Sequence, residues 1–249
     1  LSRTLKLLLP FFVFVVVGSS PAASALAYVT GGSPWPPSVP CGSSCLGKPV
    51  TIDYSYVNMF DGGIKMPDGN PLPNWLIKGS IEEALHVWTT AVNVNFVEVP
   101  DGGSVQPQLR FRHVYINGPD PPPPANPIAK AQATCIGHGF GCEVQYDDSD
   151  RWQEVGTQPN PDILGATIHE VGHILGLQHT SVVGANMYWI FHRFSGLGTG
   201  QLFPDDIAGI RAIYGAGVGS VTSFGVPEPS ALALLFLAFG GWLLRRPAR

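Results

Sequence analysis

The chain has 249 residues, enough for one fair-sized domain or two small ones, with a formal net charge of −4, 13% charged residues and 45% hydrophobic ones. Between its two apolar ends, residues 26–226 carry nine Lys/Arg against seventeen Asp/Glu, a formal charge of −8. So acidic a body has no electrostatic attraction for nucleic acid, which excludes that class of partner.

At the N-terminus Arg3 and Lys6 accompany the apolar run LLLPFFVFVVVG, and small residues follow in SSPAASALA. That order predicts a secretory signal peptide over residues 1–25, cleaved after Ala25 or Ala27, rather than a membrane span. Residues 26–49 read as a Pro- and Gly-rich, irregular leader. Cys41 and Cys45 in CGSSC form one close pair and Cys135 and Cys142 in CIGHGFGC a second. In an exported chain, disulfides within each pair are the simplest of the three connectivities. A Cys/His zinc site using His138 matches no common zinc-knuckle spacing.

Val50 to Val57 alternates Val50, Ile52, Tyr54 and Tyr56 on one face and is predicted as a strand. In SIEEALHVWTTAV, Ser80 reads as a helix cap and Glu83 completes a capping box. Ile81, Ala84, Leu85 and Trp88 then share one face, with His86 off it on the surface. FVEV at 96–99 and LRFRHVYI at 109–116 are two further strands, His113 being an ordinary strand residue. The stretch NGPDPPPPANP is a rigid extended loop, because Pro lacks an N–H and fixes φ. IAKAQAT and EVQYDD are predicted as a strand pair stapled by Cys135 and Cys142. Strands and one helix come first and two helices later, which predicts an α+β fold, a short sheet backed by helices, over residues 50–216.

The chemistry is concentrated in HEVGHILGLQH, His169 to His179. On a helix His169 and His173, four apart, lie one above the other and can converge on one ion. Gly176 ends that helix by accepting a left-handed backbone, and three residues later His179 supplies a third nitrogen. Three protein ligands and a water are the arrangement of a catalytic zinc, whereas structural zinc is normally held by four protein ligands. Zinc lowers the pKa of such a water from about 16 towards 7, and Glu170, one step round the helix, can take its proton and pass it on. The expectation is one catalytic zinc and peptide hydrolysis without a covalent intermediate.

Met187, in GANMYW, lies eight residues beyond His179. HExxHxxGxxH followed by a Met-turn resembles the metzincin metallopeptidases. FPDDIAGIRAIYG at 203–215, DDSDRW at 147–152, IEEALHVW and LRFRH resemble elements of the matrixin branch in particular. The resemblance implies a twisted mixed β-sheet with an active-site helix and a C-terminal helix. It also implies a monomeric endopeptidase acting on proteins or peptides, with Met187 supporting the base of the site. Where matrixins hold a structural zinc, this chain has Lys130 and Gln145, so a single zinc is expected. Asp147 and Asp150 match acidic calcium-binding positions; a solvated acidic turn is the other reading. Pro40-Cys41-Gly42 lacks the Arg and the Pro-Asp tail of the matrixin cysteine switch, leaving a structural disulfide as the expectation. WIFHRF at 189–194 should wall the pocket for the residue after the scissile bond, with Phe191 its aromatic wall and His192 at the rim.

Residues 217–226 read as a linker. Residues 227–249 combine the Pro-Glu-Pro box of VPEPS, the apolar stretch ALALLFLAFGGWLL and the pair Arg245 and Arg246. Fourteen apolar residues fall short of the roughly 20 that span a bilayer as a helix. The tripartite tail resembles the PEP-CTERM sorting signal of Gram-negative bacteria. That implies removal by a membrane-bound exosortase, transient membrane contact through the terminal segments, and a mature protein at the cell surface or outside the cell. The rival expectation is a surface or exopolysaccharide-associated protein that contains zinc and cleaves nothing.

Overall fold

The computed structural model describes residues 28–31, 35–36, 38, 45–119, 131–137, 140–154, 161–190 and 192–224. In chain order these form β1 (Val29–Thr30), β2 (Val50–Tyr56), α1 (Asn74–Thr89), β3 (Val94–Glu98), β4 (Leu109–Val114) and β5 (Ala131–Gly137). There follow β6 (Phe140–Asp147), α2 (Ile163–Ile174), β7 (Leu177–Gln178), α3 (Pro204–Tyr214) and β8 (Ser220–Thr222). The signal peptide, the sorting tail, Cys41, His138, Lys130, Phe191 and most of the Pro-rich loop lie outside the described residues. No helix among the described residues is long and apolar enough to cross a membrane.

Six strands make one mixed sheet in the order β5-β6-β4-β2-β3-β8. Every pairing is parallel except β5 with β6. Parallel neighbours need a crossover, which α1 supplies between β2 and β3. The alternation in β2 places Val50, Ile52 and Tyr54 in the core, where Phe96, Leu109, Phe111, Val144 and Tyr146 join them from the neighbouring strands. α1 turns Leu76, Ile77, Ile81, Ala84, Leu85 and Trp88 inward and packs on α2. The Trp88 indole N–H donates to the Ile168 carbonyl at 3.0 Å, tying α1 to the middle of α2. A fully buried indole withdraws roughly 150–250 Å² from water, about 4–6 kcal/mol of gross transfer free energy.

Three expectations change. α1 begins at Asn74 after Pro73, so Ser80 is an interior helical residue and not a cap. Leu76 and Ile77 extend the buried stripe by more than a turn, which outweighs the local cap signal. The stretch 217–226, expected to be a linker, contributes β8, parallel to β3. The leader, expected to be irregular, supplies β1, which pairs antiparallel with β7, and the buried Trp35. The β5–β6 pair forms as expected, closed by the Cys135–Cys142 disulfide with an S–S length of 2.01 Å. Cys45 is also disulfide-bonded.

Candidate metal centre and active site

The active-site helix starts where Asp162 accepts the Gly165 N–H at 2.6 Å, an ordinary N-cap contact. Burial pushes the Asp162 carboxyl up to about 6 despite that bond. The helix stops at Leu175, and Gly176 takes φ 101°, the left-handed turn the sequence requires there. His169, His173 and His179 gather with their ligand nitrogens all within 4.8 Å, the single such group among the described residues. His169 Nε2 lies 3.1 Å from both His173 Nε2 and His179 Nε2.

Hydrogen bonds on the far side of two rings determine what these nitrogens offer. His169 Nδ1 donates to the Asn186 carbonyl at 2.6 Å and His173 Nδ1 to the Leu177 carbonyl at 2.8 Å. Carbonyl oxygens only accept, so each Nδ1 carries the proton. Burial holds all three histidines below the usual imidazole range, His169 at about 3 with the His173 charge as the next cause. At neutral pH the rings are therefore neutral, and the Nε2 atoms of His169 and His173 present lone pairs to each other with no proton between them. Such an arrangement repels unless a cation is shared. Nitrogens about 2.0–2.1 Å from a tetrahedral zinc are separated by roughly 3.3 Å, close to the spacing found. The donor set fits zinc.

Glu170 is 6% exposed and belongs to the same helix without joining the ligand group. Burial raises its carboxyl to about 7, and a hydrogen bond from the Ala133 N–H on β5 pulls it part-way back. Its carboxyl is thus held between the active-site helix and β5.

The base of the site is a relay that the histidine motif alone does not reveal. Asp206, in the first turn of α3, accepts the N–H groups of Asn186 at 2.9 Å, Met187 at 3.0 Å and Phe203 at 3.0 Å. The turn so held grips two ligands: Asn186 O receives His169 Nδ1–H, and Met187 O receives the Thr180 N–H at 2.8 Å, next to His179. The Met187 side chain is 2% exposed, and its sulfur occupies the space that a Cβ on Gly172 would need. Gly172 is therefore fixed by packing beneath the histidines.

The leader and α3 together cap the end of the active-site helix. Gly31 N–H donates to Gly176 O, Trp35 Nε1–H to Ile174 O at 2.9 Å, and the Tyr214 hydroxyl to Leu175 O at 3.0 Å. The last carbonyls of the active-site helix, left without partners inside the helix, are satisfied this way. Sequence reasoning missed Trp35, Asn186 and the work of Asp206, because each acts across a long sequence separation.

Other expected residues stand apart from the centre. His113 lies mid-β4 between Asp61, 2.9 Å from Nε2, and Asp148, 3.1 Å from Nδ1. Gln145 accepts from Gln132 Nε2 at 2.7 Å and donates to Glu143 at 2.6 Å. Asp147 is fully buried and accepts N–H groups from Asn117 and Ser149, each at 3.0 Å, within the acidic turn that also buries Asp150. His86 is exposed, and His192 packs between the rings of Phe194 and Phe203.

The matrixin family model matches residues 65–215, which holds the whole histidine motif, Met187 and α3. The chain belongs to the matrixin family. It carries the zinc metalloendopeptidase domain of that family, as the three-histidine group and the α+β fold agree. Among similar proteins are the hatching enzyme of Paracentrotus lividus, 33% identical over 62% of this chain and 25% of its own length, and stromelysin-1 of Mus musculus, 31% identical over 64% and 32%. Interstitial collagenase of Oryctolagus cuniculus is 35% identical over 56% of this chain and 28% of its own. The match thus spans a quarter to a third of these relatives' length. Trp35 and the β1 strap lie before the matched region, so this matrixin domain is completed by residues that the family model does not cover.

Proposed function

We propose that this matrixin is an exported zinc-dependent endopeptidase. The observation that carries the reading is the three-histidine group with the buried Glu170 on the active-site helix, its carboxyl bonded by the Ala133 N–H of β5. His169, His173 and His179 would hold zinc, which would supply a Lewis acid and a water acidic enough to lose its proton near neutral pH. Glu170 would take that proton as the water oxygen bonds the peptide carbonyl carbon and return it to the amine nitrogen as the C–N bond breaks, so one side chain would serve as base and then acid. β5 is the outer strand of the sheet and bonds Glu170 through Ala133 N–H; among the described residues no strand pairs with its outer edge, which offers an extended peptide a strand to pair with. Met187 and Asp206 orient the ligands and take no part in proton transfer.

Export is supported by the basic, apolar and small residues at the N-terminus and by the disulfides in the body. The Pro-Glu-Pro box, apolar stretch and arginines of the tail support sorting by an exosortase at a Gram-negative surface. The test is hydrolysis of casein and of a quenched peptide by the purified protein. Activity that a chelator abolishes and stoichiometric zinc restores is expected. No cleavage at full zinc occupancy would favour the non-catalytic surface protein instead.

A further inference from the structure

The loop from Met187 to α3 is pinned by carboxylates of three different elements. Asp206 holds its root, and Asp162 of α2 accepts the Phe194 N–H at 3.4 Å. At the far end Glu83, on α1, uses both oxygens: Oε2 accepts the Gly198 N–H at 2.6 Å and Oε1 the Gly200 N–H at 2.7 Å. Leu197, just before these contacts, packs onto α1 at Gly79, where a Cβ would lie 3.0 Å from its Cδ1. Gly200 is similarly constrained, since a Cβ there would fall 2.8 Å from Glu83 Oε1. The loop and the helix face are therefore fitted to each other.

That loop also runs against the active-site helix. The His192 carbonyl occupies the space a Gly165 side chain would need, so the backbone crosses the active-site helix one turn before His169. Beyond the Glu83 contacts, Gln201 O accepts Asn186 Nδ2–H at 2.8 Å, and the carbonyl of the same Asn186 orients His169. This short path joins residues 198–200, through Gln201 and Asn186, to His169. Glu83 holds the Gly198 and Gly200 N–H groups through charge-assisted bonds.

We infer that Glu83 is a positioning residue for substrate selection, fixing the cleft wall against which the side chain following the scissile bond is sorted. The inference rests on the endopeptidase reading. Glu83 is not part of the metal-ligand group and is half-buried on α1, where a purely local role would affect stability alone.

The experiment compares kcat/KM for two quenched peptides that differ only in Ala or Phe after the scissile bond, using wild type, Glu83→Gln and Glu83→Ala at full zinc occupancy. Gln leaves one acceptor for two N–H groups and Ala leaves none. The Phe/Ala preference, whichever its sense, is expected to shrink by about fivefold or more in Glu83→Ala, the scale of a slightly misfitted pocket, and by less in Glu83→Gln. Should Glu83→Ala not fold, Glu83→Gln decides by the same ratio. An unchanged ratio with only a lower Tm overturns the inference and leaves the endopeptidase reading standing. Failure of the zinc-loaded wild type to cleave either peptide overturns both.

Discussion

Glu170→Ala is expected to bind one zinc per chain and to hydrolyse peptide roughly a thousandfold more slowly than the wild type. The two halves of that outcome have separate causes. Zinc stays because the ligand atoms are the three imidazole nitrogens, and the Nδ1–H bonds to Asn186 O and Leu177 O that aim two of them do not involve Glu170. The rate falls because the removed carboxyl, raised by burial to about 7 and bonded by Ala133 on the edge strand, is the proposed base. Metal analysis together with kcat/KM on one peptide reads both quantities. A variant within tenfold of wild type would remove Glu170 from proton transfer.

Asp206→Ala should destabilise the fold and release zinc together. Its carboxylate is 1% exposed and accepts three N–H groups, from Asn186, Met187 and Phe203. Alanine leaves those donors without acceptors in a buried place, at about 1–3 kcal/mol each, so a loss of several kcal/mol is expected. The same turn presents Asn186 O to His169 and Met187 O to the residue after His179, so the ligands lose their orientation as the turn relaxes. Losing such supports costs roughly 10–100-fold in metal affinity. Urea unfolding and competition with a chromophoric chelator measure the two effects. A loss of stability with unchanged zinc affinity would break the proposed link between α3 and the ligands.

The parts of the site that sequence made legible are those written at short range. Two histidines four apart on a helix, a glycine that must turn left-handed and a third histidine three residues later are constraints within eleven residues. The structure puts Gly176 at φ 101° for that reason. The β5–β6 pair was legible because its cysteines flank one turn and meet in register. What stayed hidden depends on distant partners. Ser80 and Glu83 mimic a capping box, yet Glu83 bonds backbone 115 and 117 residues away, and buried Leu76 and Ile77 carry the helix back to Asn74. β1, with two residues, and β8, with three, are too short for any periodic signal. Trp35 stands in a Pro- and Gly-rich stretch, and partners distant in sequence, the Ile174 carbonyl and the Tyr214 hydroxyl, hold it in the core. Asp206 was visible as an acidic residue at a helix start, but the turn it holds lies 19 and 20 residues upstream.

The most direct test of the central claim is X-ray absorption at the zinc edge on the purified, zinc-loaded protein, alongside metal content. Three imidazole nitrogens at about 2.0–2.1 Å and one further light atom that is not from the protein are expected, at one zinc per chain. A fourth protein ligand, a sulfur in the shell or a folded chain that takes up no zinc would contradict an open catalytic centre built by His169, His173 and His179.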